Sequence, residues 1–188
     1  MGTGAAPITH WWMPSFAGIT FMIIVIMGIS GSGKTTVGTL LARRLGWTYY
    51  EGDEFHSPAN IEKMSRGIAL CDADRLPWLD SLKKVIDDCV ARGAHAVIAC
   101  SALRERYRRM LSVDVPEIRF VYLKGSYETI RERMNCREGH YMKAEMLESQ
   151  LASLEEPDDA IVADIEQSPP TITSLIESEL GAIAGWKS

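Results

Sequence analysis

The residues best equipped for chemistry stand together in Gly28-Ile29-Ser30-Gly31-Ser32-Gly33-Lys34-Thr35-Thr36. Gly28 to Thr35 matches the spacing GxxxxGK[ST] in full. Glycines at these positions let a loop wrap tightly, so that successive backbone N–H groups point at one anion. Lys34 supplies a charge for β and γ phosphates, and Thr35 a hydroxyl suited to Mg²⁺. A helix opening at this loop adds the positive end of its dipole. The whole run Gly28–Thr36 is therefore a candidate nucleotide site, with Lys34 catalytic and Thr35 the metal ligand. It specifies a nucleoside triphosphate and leaves the acceptor open.

The acceptor side must come from other segments. Glu51-Gly52-Asp53-Glu54-Phe55-His56 follows the next short strand. Asp53 would face Lys34 across the phosphate, where a carboxylate takes a hydroxyl proton as general base or orients the waters of a metal. His56 either hydrogen-bonds a polar substrate or serves as a cap. Asn60–Leu79 is dense in polar groups, among them Lys63, Asp72, Asp74 and Arg75. Ser101-Ala102-Leu103-Arg104 ends a further strand and offers Arg104 to a substrate; Arg108 shares its helix face, with Arg106 and Arg109 near it. Arg133 and Arg137 are spaced i, i+4 and share one face. With the turn Glu138-Gly139-His140-Tyr141 they read as a lid, in which Arg133 and Arg137 close over the transferring phosphoryl group and His140 is a further substrate contact. The plainer reading is a solvated helix pairing these arginines with Glu128, Glu132 and Glu138.

Elements must position these groups. Phe21–Met27 is a continuous apolar, β-branched run, the mark of a strand buried on both faces of a parallel sheet. Lys34–Leu45 reads as a helix stopped by Gly46. Strands at 48–51, 96–100, 118–123 and 160–165 then alternate with helices at 57–67, 77–92, 103–111, 127–137, 142–154 and 171–183. That alternation predicts an α/β fold with a mainly parallel five-stranded sheet. Ligands then collect at the carboxyl ends of its strands.

The chain has 188 residues, 46% hydrophobic and 24% charged, with formal charge -5. These values exclude extensive disorder and fit one domain. A mildly acidic balance argues against non-specific nucleic-acid binding. The apolar run 16–29 is too short and too β-branched to span a membrane, and no basic segment precedes it as in a signal peptide. Cys71, Cys89, Cys100 and Cys136 form no CxxC pair and are expected as reduced, mostly buried thiols of a cytoplasmic protein. Residues 1–20 read as a peripheral lead-in and 21–185 as a single domain.

Five blocks stand in one order: GISGSGKT at 28–35, GDEFH at 52–56, NIEKM at 60–64, DADRLPWL at 72–79 with CSALRERYR at 100–108, and REGHYM at 137–142 running into LESQLASLEEP. Together they resemble the bacterial-type gluconokinases, small shuttle kinases of the P-loop class. The resemblance covers roughly 23–165. It implies a P-loop NTPase three-layer α/β/α fold of the nucleoside monophosphate kinase type with a helical lid, with acceptor-binding residues near 54–80 and the lid near 137–156. It also implies phosphorylation of the 6-hydroxyl of D-gluconate by ATP and Mg²⁺, often in a homodimer. Asp53 and His56 match the acceptor motif, Arg75 the DxDR motif, and Arg133 and Arg137 the lid arginines. The substrate carboxylate is left to Arg75, Lys63 or Arg104. Two positions depart from the family pattern: Ala69 replaces a proline, and Glu51 stands where many members have Asp. A shikimate kinase would show a Gly-Gly-Gly turn where Cys100-Ser101-Ala102 stands. A nucleoside monophosphate kinase would not place Asp53 beside an acceptor phosphate. A non-catalytic ATP-binding module would need neither Asp53 nor the arginine pair.

Overall fold

The computed structural model describes residues 21–135 and 144–184. The lead-in, Cys136, Arg137 and His140 lie outside the described residues. The elements run β1 (Ile23–Met27), α1 (Lys34–Leu45), β2 (Thr48–Glu51), a single 3-10 turn (Gly52–Phe55), α2 (Pro58–Ser65), α3 (Asp72–Ala91), β3 (Ala96–Ala99), α4 (Glu105–Ser112), β4 (Ile118–Lys124), α5 (Tyr127–Asn135), α6 (Ala144–Ser153), β5 (Ile161–Asp164) and α7 (Pro169–Ala184).

All strand pairs are parallel, in the order β2-β3-β1-β4-β5. β1 is central and every one of its side chains is fully buried. Because side chains alternate along a strand, Ile24 and Ile26 join one core layer with α1 and α7, through Leu41 and Ile176. Ile23, Val25 and Met27 join the other with α3 and α4, through Leu82 and Leu111. The chain leaves β1 for the edge at β2, returns to β3 beside β1, then crosses to β4. The switch point therefore lies at the carboxyl end of β1, where the Gly28–Gly33 loop sits.

Most boundaries fall within two residues of the sequence expectation, and the start of α3 differs by five. α3 starts at Asp72, five residues before Pro77, which lies inside it. A proline ordinarily marks a helix start because it lacks an N–H. Here the Asp74 carboxylate accepts from the Cys71 amide at 2.9 Å, a cap within the first turn, and Asn60 Nδ2 donates to the Asp74 carbonyl at 2.7 Å, which holds that turn from outside as well. Cys71, at that N-terminus, is exposed, while Cys89 and Cys100 are buried as expected; burial pushes the Cys100 thiol up to about 12. Among the described residues no helix is long and apolar enough to cross a membrane.

At the sheet end away from the glycine loop, Met22 N donates to His95 Nδ1 at 3.0 Å, and the His95 ring stacks on Trp47. Burial lowers the His95 pKa below its ordinary value. In the unfolded chain the ring takes a proton as pH falls through about 6.5, so the unfolded state binds more protons there and stability drops. Asp72 and Asp74, held at about 2, lose their contribution only in stronger acid. Thermal midpoints at pH 7.5 and 5.5 should therefore separate more for the natural chain than for His95→Gln. Equal separations would remove His95 as a source.

Candidate active site

The loop after β1 has left-handed backbone at Gly31 and Gly33, with φ of 85° and 96°. Side chains other than glycine rarely adopt these angles, and they let the loop wrap tightly, with Ser32 N donating inside it to the Ile29 carbonyl at 3.2 Å. A Cβ on Gly33 would meet only the Arg133 guanidinium, at 3.9 Å, so the space above it is open to a ligand. Lys34 Nζ donates to the carbonyls of Gly28 at 3.0 Å and Ile29 at 3.1 Å, which folds the ammonium over its own loop. Ser32 is buried, and its Oγ has no hydrogen-bond partner. Thr35 Oγ1 donates to Glu51 Oε2 at 2.7 Å, and Tyr49 OH donates to the same oxygen at 2.7 Å. Burial first, then Glu51, raises the Tyr49 pKa, so the phenol stays a donor. The Thr35 proton is thereby committed to Glu51, which leaves Oγ1 its lone pairs as acceptors.

Two hollows flank the loop. Gly31, Gly33, Thr36, Arg133, Gln167 and Pro169 line a cleft of about 530 Å³. Arg133 donates there to the carbonyl of Ile165. On the other side Lys34, Asp53, His56, Arg75, Trp78 and Gln150 line a narrower cavity. Asp53 sits in the 3-10 turn Gly52–Phe55, which packs on the end of β3: a Cβ on Gly52 would stand 2.3 Å from the Ala99 carbonyl oxygen. Trp78 Nε1 donates to the Gly52 carbonyl at 2.7 Å, and its ring stacks on His56 at 4.4 Å between centroids. Asn60 Nδ2 lies 3.4 Å from His56 Nδ1. An amide nitrogen only donates, so Nδ1 accepts and the neutral ring carries its proton on Nε2. Burial lowers the His56 pKa, which favours that neutral form.

The expected substrate cations separate here. Lys63 forms an ion pair with Asp74, and Arg104 with Asp72; neither lines the cavity. Asp72 also accepts from Tyr107 OH and pairs with Arg106; the hydrogen bonds from Arg106 and Tyr107 hold its carboxyl down at about 2. Arg75 does line the cavity, with its Nη1 3.4 Å from Tyr107 OH. Among the described residues no carboxylate lies within ion-pair distance of it. Arg108 is buried and donates to the carbonyls of Ala102 and Leu103 at 3.2 Å each, holding Ala102 at its φ of 39°. Sequence reasoning did not single out Tyr107 or Gln150. Both lie inside motif blocks, but nothing local shows that Tyr107 meets α3 or that Gln150 meets the glycine loop.

An anion cradle at the switch point of a parallel sheet, opening on a polar cavity with an acid in it, defines a P-loop phosphotransferase. Residues 23–157 match the model of the AAA domain family, to which the chain belongs. It is 49% identical over 142 residues to a gluconokinase of Gluconobacter oxydans, covering 76% of this chain and 80% of that one. A crystal structure of a gluconokinase from Sinorhizobium meliloti superposes with TM-score 0.78 at 39% identity, covering 87% and 94%. An unliganded sugar kinase from Janibacter does so with TM-score 0.77 at 47% identity, covering 85% and 92%. Within that class, the chain belongs to the gluconokinase family.

The close approach at Gly52 makes a direct prediction. Gly52→Ala must push the turn off β3, since the obstructing atom is backbone. Denaturant unfolding should show a loss of about 1–3 kcal/mol, the usual cost of overpacking. A loss below a few tenths would mean that the turn has room to move.

Proposed function

We propose that this chain is an ATP-dependent gluconokinase, transferring the γ-phosphoryl group of ATP to the 6-hydroxyl of D-gluconate to give 6-phospho-D-gluconate and ADP. The observation that carries the reading is the one cavity where Lys34 of the nucleotide loop, Asp53 and Arg75 meet. Gluconate offers a hydroxyl at one end and a carboxylate at the other, and the cavity offers a base and a cation. Lys63 and Arg104 are held on acids, so the substrate carboxylate falls to Arg75, whose planar fork suits two carboxylate oxygens. His56, with its proton on Nε2, donates to a substrate hydroxyl.

Asp53 accepts the proton of the 6-hydroxyl as its oxygen attacks the γ-phosphorus. The bond to the β–γ bridging oxygen breaks, and ADP leaves. Gly28–Thr36 cradle the phosphates, and Lys34 balances the charge that builds on the transferred group. Arg133 lines the nucleotide cleft, and Arg137 and His140 are proposed to close over the site from 136–143. Thr35 and Glu51 present hard oxygens at the phosphate side and suit Mg²⁺. Mg²⁺, when bound, neutralises charge between the β and γ phosphates. ATP use and the free thiols Cys71, Cys89 and Cys100 support a cytoplasmic location. For a homodimer, the open β5 edge with exposed Val162 and Leu175 is the surface to test by sedimentation.

ADP release with Mg-ATP should require gluconate when gluconate, shikimate, glucose, AMP and no acceptor are compared; release with a different acceptor alone would overturn the substrate assignment. Asp53→Asn should lower kcat by about 100-fold or more while ATP affinity changes little. Near-normal turnover would remove Asp53 from the base role. Arg75→Met should raise the gluconate KM by roughly 100-fold, as for a lost charged hydrogen-bond pair, and leave the ATP KM near its starting value. An unchanged gluconate KM would send the carboxylate elsewhere.

A further inference from the structure

The cavity that Asp53 lines has a further wall that the phosphate chemistry does not itself require. It is the face of α6 carrying Ser149, Gln150 and Ser153. This wall is anchored behind: Leu147 is buried in the core, and just beyond α6 the Glu155 amide donates to the Leu103 carbonyl at 2.8 Å. The Glu155 carboxylate accepts from the Glu105 amide at the start of α4. At its front, Gln150 reaches the glycine loop. Its Oε1 accepts from Ser30 N at 2.8 Å, and its Nε2 donates to Ser30 Oγ at 3.3 Å. Both ends of one carboxamide thus clasp one loop residue, 120 positions away in sequence.

The residue type is informative. A carboxylate here would place negative charge beside the phosphates, and a cation could not accept from the Ser30 amide. A neutral carboxamide meets both Ser30 groups and leaves the field of the loop unchanged. Water is the standing competitor for a terminal phosphate, and a kinase must keep it out until the acceptor is seated. We propose that Gln150 is a positioning residue of phosphoryl transfer: by clasping Ser30 it holds the α6 wall against the P-loop, so that the sugar-acid hydroxyl rather than water meets the γ-phosphate. This rests on the gluconate kinase reading above. It adds a coupling role for a residue that touches the loop and lines the acceptor cavity.

The test measures three quantities in the full chain: gluconate-dependent ADP release, ADP release without acceptor, and affinity for a non-hydrolysable ATP analogue by calorimetry. Gln150→Leu removes both polar atoms at similar size. It should raise the gluconate KM about tenfold, and raise acceptor-independent release as a fraction of the total by a similar factor, the effect of losing about one net hydrogen bond. Analogue affinity should stay within about threefold. Ser30→Ala should give a smaller change in the same direction, and the double variant should be no worse than Gln150→Leu alone, since the bond to Ser30 Oγ is already absent in Gln150→Leu. Gln150→Met provides the same test should the leucine variant fold poorly. The proposal is overturned if the KM and the uncoupled fraction both stay within twofold of the natural chain. It is also overturned if both reactions fall together with analogue affinity, the pattern of general destabilisation. If the natural chain itself shows no gluconate-dependent release, the substrate reading fails separately. The clasp is then judged on acceptor-independent release alone: a rise in Gln150→Leu supports it, and no change overturns it.

Discussion

β1 must stay where it is, because the loop that follows aims its amides only as accurately as that strand is held. Ile23–Met27 is buried on both faces and paired on both edges, so the loop begins from the stiffest point of the molecule. The loop then ends at once in α1, whose Leu41 anchors the helix to one core layer. A cradle of backbone N–H groups gains little from flexibility, since binding would then have to order it. Strand, loop and helix together make the anion site preorganised.

The same sheet edge brings the acceptor groups into range. β3 runs parallel beside β1 and β2 parallel beside β3, so the segment carrying Ser101 and the turn carrying Asp53 arrive at the mouth of the loop. Close packing makes the approach possible: Gly52 presses on the Ala99 carbonyl, and Trp78 ties the Gly52 carbonyl to α3. Electrostatics then sorts the cations. Asp74 holds Lys63, Asp72 holds Arg104 and Arg106, and Arg75 is left facing the cavity. The acids Asp72 and Asp74 thus sort the charges around the pocket, and Asp74 caps α3 as well.

The two sides of the loop open on different hollows. α5 leans on it from one side, where a Cβ on Gly31 would collide with Met134 and where Arg133 borders the larger cleft. α6 leans on it from the other, through Gln150. The elements flanking 136–143 therefore already touch the glycine loop, one beside each hollow.

Much of this was legible in the residues alone. The GxxxxGK[ST] spacing, the apolar run before it and the alternation of strand and helix signals were enough for the loop, the central strand and the parallel sheet, because each depends on neighbours a few positions apart. The start of α3 was not legible. Pro77 gives the local signal for a helix start, and it is overruled by the Asp74 cap on Cys71 together with Asn60, which arrives from another helix. Nor could the sequence choose among Lys63, Arg75 and Arg104, or show Arg108 buried under the Ala102 turn and Gln150 on Ser30. Those outcomes depend on which side chains meet across elements separated by tens of residues, and that is settled by packing and by the pairing of charges in space. Local spacing determined the chemistry of the glycine loop; only the tertiary structure decided which polar groups are left to face the cavity beside it.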